Sequence, residues 1–267
     1  MNAQASLPDP AASSLELYPP EATRETTFYI RSKDLDLSEA KVQWFVNDKI
    51  VEGAASLRFE SPDIKKGDKI RARVIAAGRE LVSNQVSVNN IQPAIANARI
   101  IPSHPRGNDI LQADVTGNDR DGDAVTIFYE WIKNGENAGR GETLEGPFKR
   151  GDKISVKITP YDDENYGLPT LLTTNIYNSP PRILPEGVAR FENLVYTYQM
   201  KAADPDGDPL GYALTTAPPG MTVDRATGMI RWNVPPDFKG KTSFTVSIKD
   251  GHGGETSQSL SLDVSAR

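Results

Sequence analysis

Two stretches of this chain repeat each other at a nearly constant spacing. Each copy has a Trp in one segment, then a Phe, then a Gly-Asp pair directly before an alternating segment. The matching landmarks are Trp44 and Trp131, Phe59 and Phe148, and Gly67 and Gly151, which lie 84 to 89 residues apart. Because order and spacing are both kept, the sequence predicts two copies of one small domain.

Apolar and polar residues alternate in several segments, and this pattern predicts strands that are buried on one face. Ile154, Val156 and Ile158 alternate with polar residues, and the segments at 244–249 and 259–264 do the same. We find no long amphipathic helical pattern. The fold class predicted is all-β, with three tandem β-sandwich domains.

Joints rich in Asn and Pro, at 89–93 and 178–181, divide the chain into thirds near the size of an immunoglobulin-like sandwich. The predicted organisation is a flexible leader at 1–14, a first domain at 15–90, a second at 91–178 and a third at 179–267. The leader contains no apolar signal core. Two interpretations stay open: a native export signal or anchor is missing before it, or it is a simple flexible leader.

Composition excludes several classes of protein. The chain has 30 basic and 36 acidic residues, a net charge of −6, and no long charge run, which argues against nucleic acid and anionic membrane as partners. With no cysteine, the chain has no disulfide, thiolate metal site or cysteine nucleophile. No apolar run is long enough to span a bilayer. We expect an extracytoplasmic protein of the periplasm or cell surface.

Two acidic turns carry the clearest chemical signal. Residues 119–123 read Asp-Arg-Asp-Gly-Asp and residues 204–208 read Asp-Pro-Asp-Gly-Asp, 85 residues apart. Three carboxylates in five residues repel each other unless a cation neutralises them, and the glycine permits a tight turn. The alternative is a plain solvated loop, because Asp and Gly form turns with or without ions.

Catalysis has little support in the sequence. Only His104 and His252 are present, and the sequence predicts no Ser, His and Asp grouping. Lys65 and Lys66 are interpreted as surface residues that only increase solubility. We therefore expect a protein that is not an enzyme.

The first two domains resemble bacterial immunoglobulin-like repeats. The second domain carries the fuller pattern, with Trp131, an Asn134-Gly135 turn, Phe148 and a Gly-Asp strand that ends in an acidic turn at 160–163. The first domain departs from it, because 76–78 read Ala-Ala-Gly instead of an acidic turn. In such repeats the strand Trp is a core anchor, with an aromatic ligand platform as the minor alternative.

The third domain resembles the cadherin-like and putative-Ig repeats of bacterial surface proteins. Three segments carry the resemblance in order: 203–212, 218–230 and 246–254. The resemblance implies weakly bound calcium at the domain joints. The metal ligands it implies are Asp204, Asp206, Asp208, Asp250 and Asn178 at one joint, and Asp119, Asp121, Asp123 and Asp162, with Asn89 or Asn90, at the other. The family's Asp-Arg-Glu ligand is missing, because Ala226 follows Asp224-Arg225.

These patterns predict a non-enzymatic binding or spacer module of a bacterial envelope protein, with calcium stiffening its joints. The partner would be a protein or a glycan at the envelope. Two alternatives stay open: a carbohydrate-binding accessory segment of a secreted enzyme, with Trp or Tyr as sugar platforms, and a structural subunit of an envelope assembly or fibre. An unpaired, uncharged edge strand would favour the subunit.

Overall fold

The computed structural model describes residues 15–185 and 187–264, and every regular element in them is a β-strand. These two ranges contain no helix, so none that could cross a bilayer is present in them. The predicted leader at 1–14 lies outside the described residues.

The first eight strands form two facing sheets. One sheet has the order β1-β2-β5, the other has the order β4-β3-β6-β7, and β8 pairs with β6. Alternating residues of both sheets, among them Trp44, Phe28 and Ile70, meet in one core. The strands are β1 (Leu15–Tyr18), β2 (Phe28–Ser32), β3 (Lys41–Val46), β4 (Lys49–Ile50), β5 (Arg58–Phe59), β6 (Lys69–Ala76), β7 (Arg79–Val82) and β8 (Val86–Ser87).

The next seven strands form sheets of the same kind, with the orders β13-β10-β9 and β12-β11-β14-β15. Trp131, Leu111 and Ile154 are fully buried. The strands are β9 (Ala94–Ile101), β10 (Leu111–Asn118), β11 (Thr126–Lys133), β12 (Glu136–Arg140), β13 (Thr143–Leu144), β14 (Lys153–Tyr161) and β15 (Thr170–Asn175).

The last nine strands form sheets ordered β17-β18-β22-β21 and β20-β23-β24, and a short pair β16-β19. Trp232, Tyr196, Phe244 and Ile248 belong to their shared core. The strands are β16 (Arg182–Ile183), β17 (Val188–Glu192), β18 (Val195–Gln199), β19 (Ala202–Ala203), β20 (Gly211–Thr216), β21 (Met221–Val223), β22 (Met229–Asn233), β23 (Gly240–Lys249) and β24 (Glu255–Val264).

The predicted all-β fold of three tandem sandwiches is confirmed by these sheets. By contacts, the described chain groups into two compact units, residues 15–96, 116–127 and 159–169 in one and 97–115, 128–158 and 170–264 in the other. The strands of the middle sandwich are divided between the units. The domain boundaries at 90 and 178 stay a prediction.

The internal repeat is confirmed by matching hydrogen bonds. The indole of Trp44 donates to Ser56 O at 2.8 Å, and that of Trp131 donates to Gly141 O at 2.9 Å. In the following turns Asn47 donates to Asp68 at 2.7 Å, and the equivalent Asn134–Asp152 bond measures 2.8 Å.

Candidate functional site

The predicted ligands gather in two clusters, and each lies wholly inside one unit. The first cluster comprises Asn90, Asp119, Asp121, Asp123 and Asp162. The second cluster comprises Asn178, Asp204, Asp206, Asp208 and Asp250. Every member of the second cluster corresponds to a member of the first at an offset of 85 or 88 residues.

The first aspartate of each acidic turn closes the turn on itself. Asp119 Oδ1 accepts hydrogen bonds from the main-chain N–H groups of Asp121 at 2.8 Å and Asp123 at 3.2 Å. Asp204 Oδ1 accepts from Asp206 and Asp208 at the same two distances. The Asp-x-Asp-Gly-Asp sequence thus forms a local structure with its carboxylates turned toward one another.

The second aspartate of each turn binds the main chain of the preceding joint. Asp121 Oδ2 accepts from the Ile91 N–H at 2.6 Å, and Asp206 Oδ2 accepts from the Ser179 N–H at 2.7 Å. These are charge-assisted bonds, which are shorter and stronger than bonds between neutral groups. The acidic turn is therefore fixed to the joint through the backbone.

A hydrogen bond from an Asn amide to a buried carboxylate completes each joint. Asn90 Nδ2 donates to Asp162 Oδ2 at 2.6 Å, and Asn178 Nδ2 donates to Asp250 Oδ2 at 2.6 Å. Asp162 is 4% exposed and Asp250 is 2% exposed. Each carboxylate also accepts two main-chain N–H bonds through Oδ1, so both of its oxygens have protein partners.

Burial and hydrogen bonding act against each other on these two carboxylates. Burial alone would raise the pKa of Asp162, but bonds from Asn90 and two main-chain N–H groups, with nearby Lys66, hold it below its usual range. Burial would likewise raise the pKa of Asp250, but the hydrogen bonds from Asn178 and two main-chain N–H groups hold that pKa below its usual range. Both groups stay ionised near neutral pH.

A basic side chain from the domain before each joint contacts the third aspartate. Lys66 Nζ forms ion pairs with Asp123 and, at 2.7 Å, with Glu164. Hydrogen bonding first to Asp123 and then to Glu164 raises the pKa of Lys66 above its usual range. Arg150 donates to both Asp208 oxygens, at 2.6 and 3.0 Å. The interpretation of Lys66 as merely solubilising is wrong, because its amine neutralises two carboxylates.

Several oxygens in the clusters have no hydrogen-bond partner in the part of the chain that the structure describes, although they are shielded from solvent. In the first cluster these are Asp119 Oδ2, Asp121 Oδ1 and Asn90 Oδ1. In the second cluster they are Asp204 Oδ2 and Asp206 Oδ1, because the Asn178 oxygen accepts from Arg150 at 3.2 Å. Unpartnered, shielded carboxylate oxygens are costly unless a cation or water meets them.

Each cluster supplies some of the oxygen ligands that a hard divalent cation needs. In each acidic turn, one oxygen from each of the three aspartates lies within 4.8 Å of the others. Two oxygens bound to one calcium ion at 2.3–2.6 Å lie at most about 5 Å apart. Calcium takes six to eight oxygens, so the protein would supply only part of the shell and water the rest.

The sequence identified nine of the ten residues that these clusters bring together, and it offered the tenth, Asn90, as one of two choices. It missed Lys66, Arg150 and the main-chain donors of Ile91 and Ser179. The weak signal for the two cations was their shared place before the repeated Gly-Asp pair, at 67–68 and 151–152.

The tryptophans are buried, as the core-anchor interpretation predicted. Trp44 and Trp131 are 0% exposed and Trp232 is 1% exposed. Tyr166 is exposed, but its ring lies over that of Tyr161 with centroids 4.6 Å apart, so the two do not form a side-by-side platform. The buried tryptophans therefore give the carbohydrate-binding alternative no support.

One protein-family model matches the third sandwich. Residues 178–263 match the family described as Bacterial Ig domain. The predicted resemblance of the third domain to a putative-Ig repeat of bacterial proteins is confirmed by this match, and this part of the chain carries the second cluster. No curated protein matches the chain in sequence.

Several solved structures of tandem domains align with most of the chain at low identity. Extracellular domains 3–5 of Drosophila OTK show 12% identity and a TM-score of 0.35, covering 96% of this chain and 99% of that one. The three N-terminal domains of the bacteriophage RB49 outer capsid protein Hoc show 12% identity and a TM-score of 0.30, covering 95% of each chain. Drosophila N-cadherin EC1-4 shows 15% identity and a TM-score of 0.30, covering 88% of this chain and 69% of that one. These scores are too low to support any functional argument.

Proposed function

We propose that this chain is a non-enzymatic spacer or binding module of a bacterial envelope protein, located outside the cytoplasm. The observation that supports it most is the repeated joint, in which an Asn and the next main-chain N–H are tied to one acidic turn. A joint built twice to the same pattern suits a protein that holds successive domains in a fixed order. Its partner would be a protein or a glycan at the envelope.

Calcium at the two joints is the second part of the proposal. In the first cluster, Asp119, Asp121 and Asn90 would hold the ion with their unpartnered oxygens, and in the second cluster Asp204 and Asp206 would do so. Asp123 and Asp208 already contact a protein cation, which leaves fewer anionic ligands and weakens binding. The expected affinity is in the millimolar range of extracellular modules.

Calorimetric melting of the whole chain in millimolar calcium and in chelator tests whether calcium binds. Calcium at a hundredfold its dissociation constant should stabilise the domains that bind it by about 2.7 kcal/mol. Asp121→Asn and Asp206→Asn should each abolish the shift of one transition, while Asp237→Asn, in an exposed loop away from both clusters, should leave both shifts. Identical melting curves in calcium and in chelator would contradict the calcium proposal but would not contradict the spacer role.

The module role has its own test. A glycan array and quantitative binding to purified envelope polysaccharide separate a glycan partner from a protein partner. Turnover of any polysaccharide or peptide substrate by the purified chain would contradict the non-enzymatic assignment.

A further inference from the structure

Strand β17 is an open edge of the third sandwich, and its side chains are unusually exposed. Among the described strands it pairs only with β18, in the sheet order β17-β18-β22-β21, and all five of its residues are exposed. Val188 is 50% exposed, Phe191 48%, and Leu194, in the turn that follows, 45%. An open edge with large apolar side chains is a template for pairing with another strand.

Phe191 lies on the core side of its sheet and is still half uncovered. Its cross-strand partner is Tyr196, which is buried in the core. Leu194 is a second anomaly, because it has a left-handed φ of 62° next to Asn193 at 49°. Asn is common in this conformation, but Leu is strained there. Both apolar side chains are thus left exposed at this edge.

The two charged residues of β17 have no ion-pair partner among residues 15–185 and 187–264. Arg190 and Glu192 point to the face opposite Phe191, and their cross-strand partners are the uncharged Thr197 and Val195. Charges on an edge strand normally oppose pairing. Their effect depends on what stands opposite, since opposite charges across a strand pair attract and like charges repel.

Antiparallel pairing of β17 with itself satisfies these charges in one register. With Phe191 opposite Phe191 of a second copy, Arg190 of each copy stands opposite Glu192 of the other, on the same face. Val188 then stands opposite the turn that holds Leu194. A shift by two residues places Arg190 opposite Arg190 or Glu192 opposite Glu192, so the charges select the register.

We propose that β17 is a self-association surface, pairing antiparallel with β17 of a second copy about a two-fold axis through Phe191. Such an interface is isologous, so each contact occurs twice. The four-stranded sheet would continue through the edge into an eight-stranded one. This inference goes beyond the proposed module function and is independent of calcium.

The other long edge of the same domain lacks this complementarity. Strand β24 has ten residues and lies at the edge of the sheet β20-β23-β24. If it paired with itself about its central Ser259, Glu255 would stand opposite Asp263 at both ends. Like charges directly opposite destabilise a strand pair, so we assign self-association to β17.

A charge-reversal cycle on the whole chain tests the proposal. Sedimentation velocity over a concentration series up to about 1 mM should show a monomer–dimer equilibrium for the unmodified chain. R190E and E192R should each weaken dimerisation by about tenfold, because two attractive pairs become repulsive. The double variant R190E/E192R should restore it. R140E, a reversal of an exposed Arg on the edge strand β12, is the matched control and should dimerise like the unmodified chain.

Circular dichroism and tryptophan fluorescence would show that each variant is folded. A monomer at every concentration would overturn the proposal, and so would a dimer that R190E and E192R leave unchanged. Failure of the folded double variant to dimerise would also overturn it, because charge complementarity would then not set the register. Capture of a strand from a different protein in place of a second copy would count against self-pairing.

Discussion

The two clusters share one hydrogen-bond pattern, but a different basic side chain contacts each of them. In the first cluster the amine of Lys66 contacts Asp123 and Glu164 and leaves the Asn90 oxygen without a partner. In the second, the guanidinium of Arg150 binds both oxygens of Asp208 and also reaches the Asn178 oxygen. The aspartates and the joint Asn are thus the common framework, and the cation decides how many oxygens remain free.

This difference has a physical origin in the two side chains. A guanidinium presents several N–H donors in a planar fork that matches a carboxylate, whereas an ammonium is a compact point charge on a flexible stem. The second cluster therefore depends more on protein contacts. The first cluster keeps three unpartnered oxygens against two, which makes it the better candidate for an added ion.

The largest loss of stability should come from removing the buried carboxylate of either cluster, Asp162 in the first and Asp250 in the second. Asp162→Ala and Asp250→Ala should each lower the free energy of unfolding of the affected domain by about 3 kcal/mol, since the Asn amide and two N–H groups lose a buried, charged acceptor. Urea unfolding of the whole chain measures it. Asp237→Ala, in an exposed loop, should change stability by less than about 0.5 kcal/mol. A large loss in one cluster and none in the other would break the equivalence.

A glycine in the second cluster has a counterpart that is not glycine in the first. The Gly254 N–H donates to Asp250 Oδ1 at 3.0 Å, and the Asn165 N–H donates to Asp162 Oδ1 at 2.7 Å. A Cβ on Gly254 would collide with the Asp250 carboxylate and the Asn178 amide. Gly254→Ala should therefore cost about 2 kcal/mol of stability, while Asn165→Ala should be tolerated.

Gly211→Ala is the control for the glycine variant, because a Cβ there meets only the Lys249 carbonyl oxygen, at 3.8 Å. Thermal melting of the three variants makes the comparison. If Gly254→Ala melts like Gly211→Ala, close packing at the second joint is not required.

The smallest effect should come from the cations, and it should differ between the clusters. Arg150→Gln should cost about 1.5 kcal/mol, the low end for hydrogen bonds to a charged group, because Asp208 is only 11% exposed. Lys66→Gln should cost less, since its partners Asp123 and Glu164 are 33% and 53% exposed and an exposed ion pair contributes little.

Lys149→Gln and Lys65→Gln remove the neighbouring exposed charges and are the matched controls for the cation variants. Stability measured in low and high salt would sharpen the contrast, because screening should reduce the Lys66 effect more than the Arg150 effect. Equal losses at both positions would mean that the fork geometry of Arg150 adds nothing.

Much of the site could be predicted because its turns form locally. Asp119 and Asp204 bond main-chain groups two and four residues later, and such short-range geometry follows from Asp and Gly alone. The burial of Trp44 and Trp131 was also predictable, because repeated strands with alternating residues must bury one face. Lys66 was misinterpreted, because a charge run in a loop gives no sign of what it will face.

The sequence by itself determined the β-fold, the repeat and the two acidic turns, since each depends on alternation or on residues a few positions apart. Only the tertiary structure decided that Lys66 and Arg150 neutralise aspartates 57 and 58 positions away, and that Arg190 and Glu192 are left on an open edge. These features depend on how distant strands approach one another. That approach is set by core packing over the whole domain, which no local pattern contains.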